Sequence, residues 1–238
     1  MARTFVRSTL AETLEAVESH GIHFIQFNFT CAGLPEMPEH IDRQLCDEIR
    51  KEADIRGLTI AAVSGTYNMI HPDPKRRRDG LSRLRELVSN CDRLGTSVIT
   101  LCTGTRDPHN MWRRHPDNDS PEAWQDLLVS MRAALQIAEE HDVKLAFEPE
   151  VSNVVDSARK GRRLIDQMQS PNLKVVMDPA NLFHKGELTR MREIVDEAFV
   201  LLGDYIAIGH AKTWITTVKQ DTWQQAKDFW TMLSIYLG

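Results

Sequence analysis

The chain has 238 residues, 42% hydrophobic and 26% charged, enough to bury a sizeable core without a disulfide or metal staple. Its formal net charge of −5 argues against a nucleic-acid backbone as partner, because phosphate binding is carried by an excess of Lys and Arg. The longest apolar runs, such as Val98-Ile99-Thr100-Leu101-Cys102, fall far short of the roughly 20 residues of a membrane span, and Met1 to Ser8 hold no apolar signal core. Cys31, Cys46, Cys91 and Cys102 show no paired spacing, which predicts reduced thiols in a cytoplasmic protein.

Short β-branched runs alternate with longer amphipathic ones. A helix is expected within 12–19, a strand at 22–28, a helix at 41–56 and a strand at 58–64. Leu81, Leu84, Leu87, Val88, Cys91 and Leu94 recur at helical spacing, and Gly95 closes the pattern. After a strand at 97–103, Ser120-Pro121 opens a helix with Trp124, Leu127, Leu128, Met131, Leu135 and Ala138 on one face. Strands follow at 143–148, 173–178 and 204–210, with a helix around Leu164, Ile165 and Met168 that stops at Ser170-Pro171. The Lys75 to Arg78 run suits either a phosphate contact or the solvated start of a helix.

This alternation predicts a parallel α/β fold. No glycine-rich phosphate loop follows any strand, which counts against a dinucleotide-binding open sheet. The strands instead end in Asn28, Ser64, Thr103, Glu148, Asp178 and His210. Polar strand ends that converge on one face are the mark of a (β/α)8 TIM barrel. Residues 1–238 therefore read as a single barrel domain.

Three strand ends carry metal-ligand chemistry: Glu148, Asp178 and His210. Two carboxylates and one imidazole suit a hard divalent ion, with the histidine tilting the choice toward manganese over magnesium. Polar residues that merely cap barrel strands are the alternative. Glu150 competes with Glu148, although Glu148 ends the apolar run. His71 reads equally as a plain loop histidine, and Trp112 as a pocket wall or as ordinary loop packing.

Phe147-Glu148-Pro149-Glu150, the run from Val175 through Met177-Asp178-Pro179-Ala180-Asn181-Leu182, and His210-Ala211-Lys212 together resemble the xylose isomerase-like superfamily. The likeness is strongest to its sugar phosphate isomerase/epimerase group. Ser64-Gly65-Thr66-Tyr67-Asn68 through His71-Pro72-Asp73 is similar to that group's loop after the third strand, so the resemblance runs from about Thr4 to Lys212. It implies a divalent metal held by Glu148, Asp178, His210 and a second Glu, and a small-molecule keto sugar or sugar phosphate as substrate. It also implies proton transfer through an enediolate, with Glu148 both ligand and one of the acid–base pair. Asn68, His71, Asn181, His184 and Lys212 would touch the ligands or the substrate, with Asn181 standing where many relatives carry histidine. Neither nucleic acid nor membrane is implied as a partner, and a homo-oligomer is left open.

The pattern departs at both ends: where the group opens with a full first strand only Ala2 to Val6 remain, and after Lys212 no eighth strand is readable, so the resemblance implies an incomplete barrel. Thr213 stands where the group has aspartate, the second metal Glu is missing, and three of the five tryptophans fall within 213–238. One explanation is a single base lost near codon 212, since the shifted frame can begin Asp-Leu-Asp-His and give a glycine-rich stretch across Gln225 to Tyr236. The other is a natural divergent tail, in which Trp223, Ala226, Trp230 and Leu233 have helical spacing. A catalytically impaired relative that keeps partial metal or sugar binding is the second functional reading. An abasic-site endonuclease relative using zinc is third, disfavoured by the acidic balance and by the lack of strand-end histidines beyond His210.

Overall fold

A computed structural model describes residues 2–5 and 7–210, so Lys212 and the 213–238 tail lie outside the described residues. Six strands run in chain order: β1 (Phe24–Phe27), β2 (Thr59–Ser64), β3 (Val98–Cys102), β4 (Lys144–Glu148), β5 (Leu173–Met177) and β6 (Ile206–Gly209). Each pairs in parallel with the next, in the order β1-β2-β3-β4-β5-β6. The helices are α1 (Leu10–Glu18), α2 (Arg43–Ile55), α3 (Pro74–Val88), α4 (Cys91–Leu94), α5 (Pro121–Glu139), α6 (Ala158–Met168) and α7 (Met191–Leu202). Strands and helices together form a curled half-barrel, an incomplete α/β TIM barrel among the described residues.

The inner strands β2 to β5 are apolar almost throughout because both faces of a parallel sheet are covered there. On β4, Leu145, Ala146 and Phe147 are all fully buried. Phe147 points outward, where its ring lies 3.4 Å from the position a Cβ on Gly161 of α6 would take. Side chains alternate along a strand, so Ala146 and Glu148 face the barrel interior. This alternation carries Glu148 to the mouth.

Helix starts follow local chemistry. Thr9 and Glu12 form a capping box on α1, while Ser120 accepts from the Ala123 N–H with Pro121 in the first turn of α5. Asp73 caps α3 in the same way through the Lys75 N–H, so the Lys75 to Arg78 run does begin a helix. The helix expected to run through Leu94 breaks after Val88. Asn90 turns its amide onto the Glu86 carbonyl at 2.9 Å, and the chain restarts as α4 before Gly95 closes it with φ +74°. Ala2–Phe5 is a 3-10 turn, not the short strand its sequence suggests. Local contacts replace sheet pairing there: Ala2 is buried and the Phe5 ring lies 5.0 Å from His20. Helix α7 was not anticipated, although Val195, Ala198, Phe199 and Leu202 bury one face of it.

Candidate metal centre

The site is built where β4, β5 and β6 end. Glu148 is the last residue of β4, in register with Cys102 of β3. Asp178 follows β5 and caps the 3-10 turn Pro179–Asn181, accepting from the Ala180 N–H at 3.1 Å. His210 follows β6, its N–H bonded to the Met177 carbonyl at 2.8 Å. The sheet's own hydrogen bonding thus sets three side chains side by side. His210 Nδ1 lies 3.4 Å from Glu148 Oε2 and 3.8 Å from Asp178 Oδ2. One ligand atom from each residue lies within 4.8 Å of the others.

The Asp178 side chain is 0% exposed, His210 11% and Glu148 18%, so water screens the cluster poorly. Two carboxylates held together at low exposure repel unless positive charge stands with them. A divalent cation meets that need, and the two-oxygen, one-nitrogen donor set fits a hard divalent ion. Asn181 braces the arrangement: its Nδ2 donates both to Glu148 Oε1 and, at 3.3 Å, to Asp178 Oδ2.

Glu150 does not join the cluster. The chain leaves the strand after Glu148, and Glu150 accepts from the Ser152 N–H at 3.2 Å and from Asn153 Nδ2. Burial pushes its carboxyl up from the ordinary value, and the nearby Glu148 charge adds to the effect. Burial likewise raises the Cys102 thiol, followed by Glu148 and Glu150, which makes it an inert packing group.

Of the remaining sequence candidates, Asn68 and His71 stand in the loop after β2, Trp112 in the loop after β3 and His184 after β5, while Lys212 lies outside the described residues. Asn68 and His71 line a separate cavity of about 580 Å³ with Glu36, Arg76 and Asp107. Asn68 stitches the loops after β2 and β3, donating to the Thr105 carbonyl at 2.8 Å and accepting from the Thr105 N–H at 3.0 Å. His71 Nδ1 accepts from the Asp73 N–H at 3.0 Å, and its Nε2 meets the Pro108 carbonyl at 3.3 Å. Both ring nitrogens therefore serve the backbone. Trp112 is 52% exposed in the loop after β3, beside Met111 of the cavity wall. His184 is exposed at the start of the Lys185–Arg190 turn.

Sequence reasoning missed Gln26. This β1 residue is 6% exposed, and its Oε1 meets His210 Nε2 from across the mouth. The available signal was one amide inside the apolar run Phe24-Ile25-Gln26-Phe27.

Comparison with known proteins gives the arrangement a context. No curated protein sequence matches the chain. Its fold is similar to that of 3-keto-D-glucoside 4-epimerase from E. coli, with TM-score 0.68 and 14% identity over 94% of this chain and 82% of that one. A probable 3-DHS dehydratase from Bacillus anthracis is similar at TM-score 0.68 and 14% identity, covering 89% of this chain and 70% of the other. The IOLI protein, solved with a zinc atom, is similar at TM-score 0.63 and 16% identity, covering 93% and 75%. Such identities carry the fold and leave the activity open. The sequence itself matches a family model over residues 14–228, and on that match the chain belongs to the xylose isomerase-like TIM barrel family.

Proposed function

We propose that this protein is a divalent-metal-dependent isomerase or epimerase of a keto sugar or sugar phosphate, working by proton transfer through an enediolate. The observation that carries the reading is the convergence of Glu148, Asp178 and His210 within 4.8 Å at the C-terminal ends of adjacent strands. These three residues would hold the ion, with manganese proposed and magnesium as the alternative. A bound ion supplies Lewis-acid polarisation of the substrate carbonyl.

The chain's own residues divide the remaining work. Asp178 is sealed and doubly hydrogen-bonded, which suits a fixed ligand. Glu148 is the more open carboxylate, so it is the one that can reach a substrate carbon and move the proton beside the carbonyl. Asn181 donates to both carboxylates and so fixes their orientation. Asn68, His71, Trp112, His184 and Lys212 are proposed to contact the sugar from the loops above the strand ends. Buried free thiols at all four cysteines support a reducing, cytoplasmic setting, and no helix among the described residues is long and apolar enough to cross a membrane. Residues 1–238 are proposed to act as one domain.

The test is solvent exchange. With Mn2+ added, the protein in D2O should place deuterium on the carbon next to the carbonyl of a ketose or ketose phosphate, and EDTA should stop it. Absence of metal-dependent exchange with every ketose tried sinks the reading. Metal binding without exchange would instead identify the impaired relative.

A further inference from the structure

β1 and β6 are the outer strands of the six-stranded sheet, yet their side chains meet across the mouth. Gln26 Oε1 contacts His210 Nε2, a pair 184 residues apart in sequence. The other end of the same amide is also engaged: Gln26 Nε2 donates to Thr100 Oγ1 of β3 at 2.7 Å. A primary amide has one donor end and one acceptor end. With the donor end on Thr100, the acceptor end is what His210 meets.

A neutral imidazole carries one proton on one of two nitrogens, and the partner of one nitrogen decides the state of the other. The acceptor in contact with Nε2 draws the proton there, against carboxylate oxygens that stand farther off at 3.4 and 3.8 Å from Nδ1, and leaves Nδ1 with its lone pair. Nδ1 is the nitrogen that faces Glu148 Oε2 and Asp178 Oδ2. An amide turned the other way would set N–H against N–H whenever Nδ1 binds a cation. Burying an amide also costs free energy that an apolar side chain in β1 would not, so its presence needs a reason.

We infer that Gln26 is a positioning residue that, anchored by Thr100, holds His210 in its Nε2–H form and so presents the Nδ1 lone pair to a divalent cation shared with Glu148 and Asp178. The inference rests on the metal-binding reading above. It adds two residues, Gln26 and Thr100, that touch neither the cation nor the substrate.

The experiment compares the wild type with Gln26→Leu, Gln26→Glu and Thr100→Val. Mn2+ affinity is read from the electron paramagnetic resonance signal of free Mn2+. The protonated ring nitrogen of His210 is read by 15N NMR, in the zinc-loaded protein and in the metal-free protein at about pH 8.5, well above the ordinary imidazole pKa of roughly 6.5. Gln26→Leu should weaken Mn2+ binding roughly 10- to 100-fold, the usual scale for losing the outer partner of a metal-bound histidine. In the metal-free protein it should also lose the Nε2–H preference. Gln26→Glu keeps an acceptor oxygen and should return most of the affinity. Thr100→Val frees the amide to turn and should fall between the two, which keeps the test decisive if Gln26→Leu folds poorly. Wild-type affinity in Gln26→Leu, equal weakness in Gln26→Leu and Gln26→Glu, or a wild-type ring proton on Nδ1 would overturn the inference. Failure of the wild type to take up any Mn2+ would sink the metal reading, and the metal-free NMR comparison would still decide the role of Gln26.

Discussion

Gly104 offers a sharp test of how the mouth is held together. It lies just past β3 with φ +85°, a conformation that costs an L-residue about 1–2 kcal/mol. Its N–H donates to Asn153 Oδ1 at 2.6 Å and its carbonyl accepts from the Val154 N–H at 2.9 Å. A Cβ at this position would lie 2.1 Å from Asn68 Oδ1 and 2.9 Å from the Met69 backbone nitrogen. Gly104→Ala therefore adds strain and also expels Asn68 from Thr105, with overpacking of this kind costing about 1–3 kcal/mol. A total loss of about 2–5 kcal/mol lowers Tm by roughly 4–20 °C at this chain length. Urea unfolding with an unchanged slope is the second measure. Adding Asn68→Ala removes the side-chain clash and leaves the strain and the tight approach to the Met69 nitrogen, so the double variant should lose less than the two single losses combined. A Gly104→Ala midpoint within about 2 °C of wild type would refute the reasoning.

Saturating metal should stabilise the fold. At 100 times Kd the gain is about 2.7 kcal/mol, or roughly 5–11 °C in Tm, reversed by EDTA; an unmoved midpoint counts against the site. Asp178→Asn keeps the shape but removes a buried charge, so Mn2+ affinity measured by calorimetry should fall about 10²- to 10⁴-fold, the scale of removing one partner from a buried charge cluster. Glu148→Gln should cut solvent deuterium exchange by about 10²- to 10⁴-fold, the range of a general acid–base residue. Asp107 gives a pH prediction. The Arg113 guanidinium, followed by the His109 N–H, holds its carboxyl below the usual carboxylate range. A depressed folded value stabilises the native state above the unfolded pKa of about 3.9 and loses that stabilisation as pH falls further. The stability difference between wild type and Asp107→Asn should stay level down to about pH 4 and close below it; a difference that widens in acid contradicts the ion pair.

The strands were legible because parallel, doubly covered strands must be apolar throughout, and each such run here stops at a polar residue. The expected 173–178 and 204–210 contain Leu173–Met177 and Ile206–Gly209, with Asp178 and His210 just beyond. Helix α7 carries an equally regular buried stripe, but Ile194, Val200 and Leu201 surround it with further apolar positions. Val200 is 83% exposed, so hydrophobicity alone does not mark the inner face there. The break between α3 and α4 was hidden for another reason. The apolar spacing continues through Cys91 and Leu94, while the interruption comes from a single side-chain amide competing for the Glu86 carbonyl. At Ala2–Phe5 the residue types suit a strand, but strand formation needs a neighbour to pair with, and no residue type records one.

The site divides along the same line. Glu148, Asp178 and His210 were readable because each ends its own apolar run, so strand position alone places all three at the mouth. Asn181 was named only through the family resemblance; its place three residues after Asp178 lets one turn return its amide to both carboxylates. The braces contributed from distant strands were not readable. Gln26 meets His210 only because the sheet curls far enough to bring β1 opposite β6, a consequence of strand tilt and twist summed over six strands. The same holds for Asn68 and His71. Their residue types suggest binding, but that they also bond loop backbone 37 residues away is not written in those types. A motif records which ligand stands at a strand end; what aims that ligand is decided by curvature, and a residue such as Gln26 becomes interpretable only once the far side of the barrel is in view.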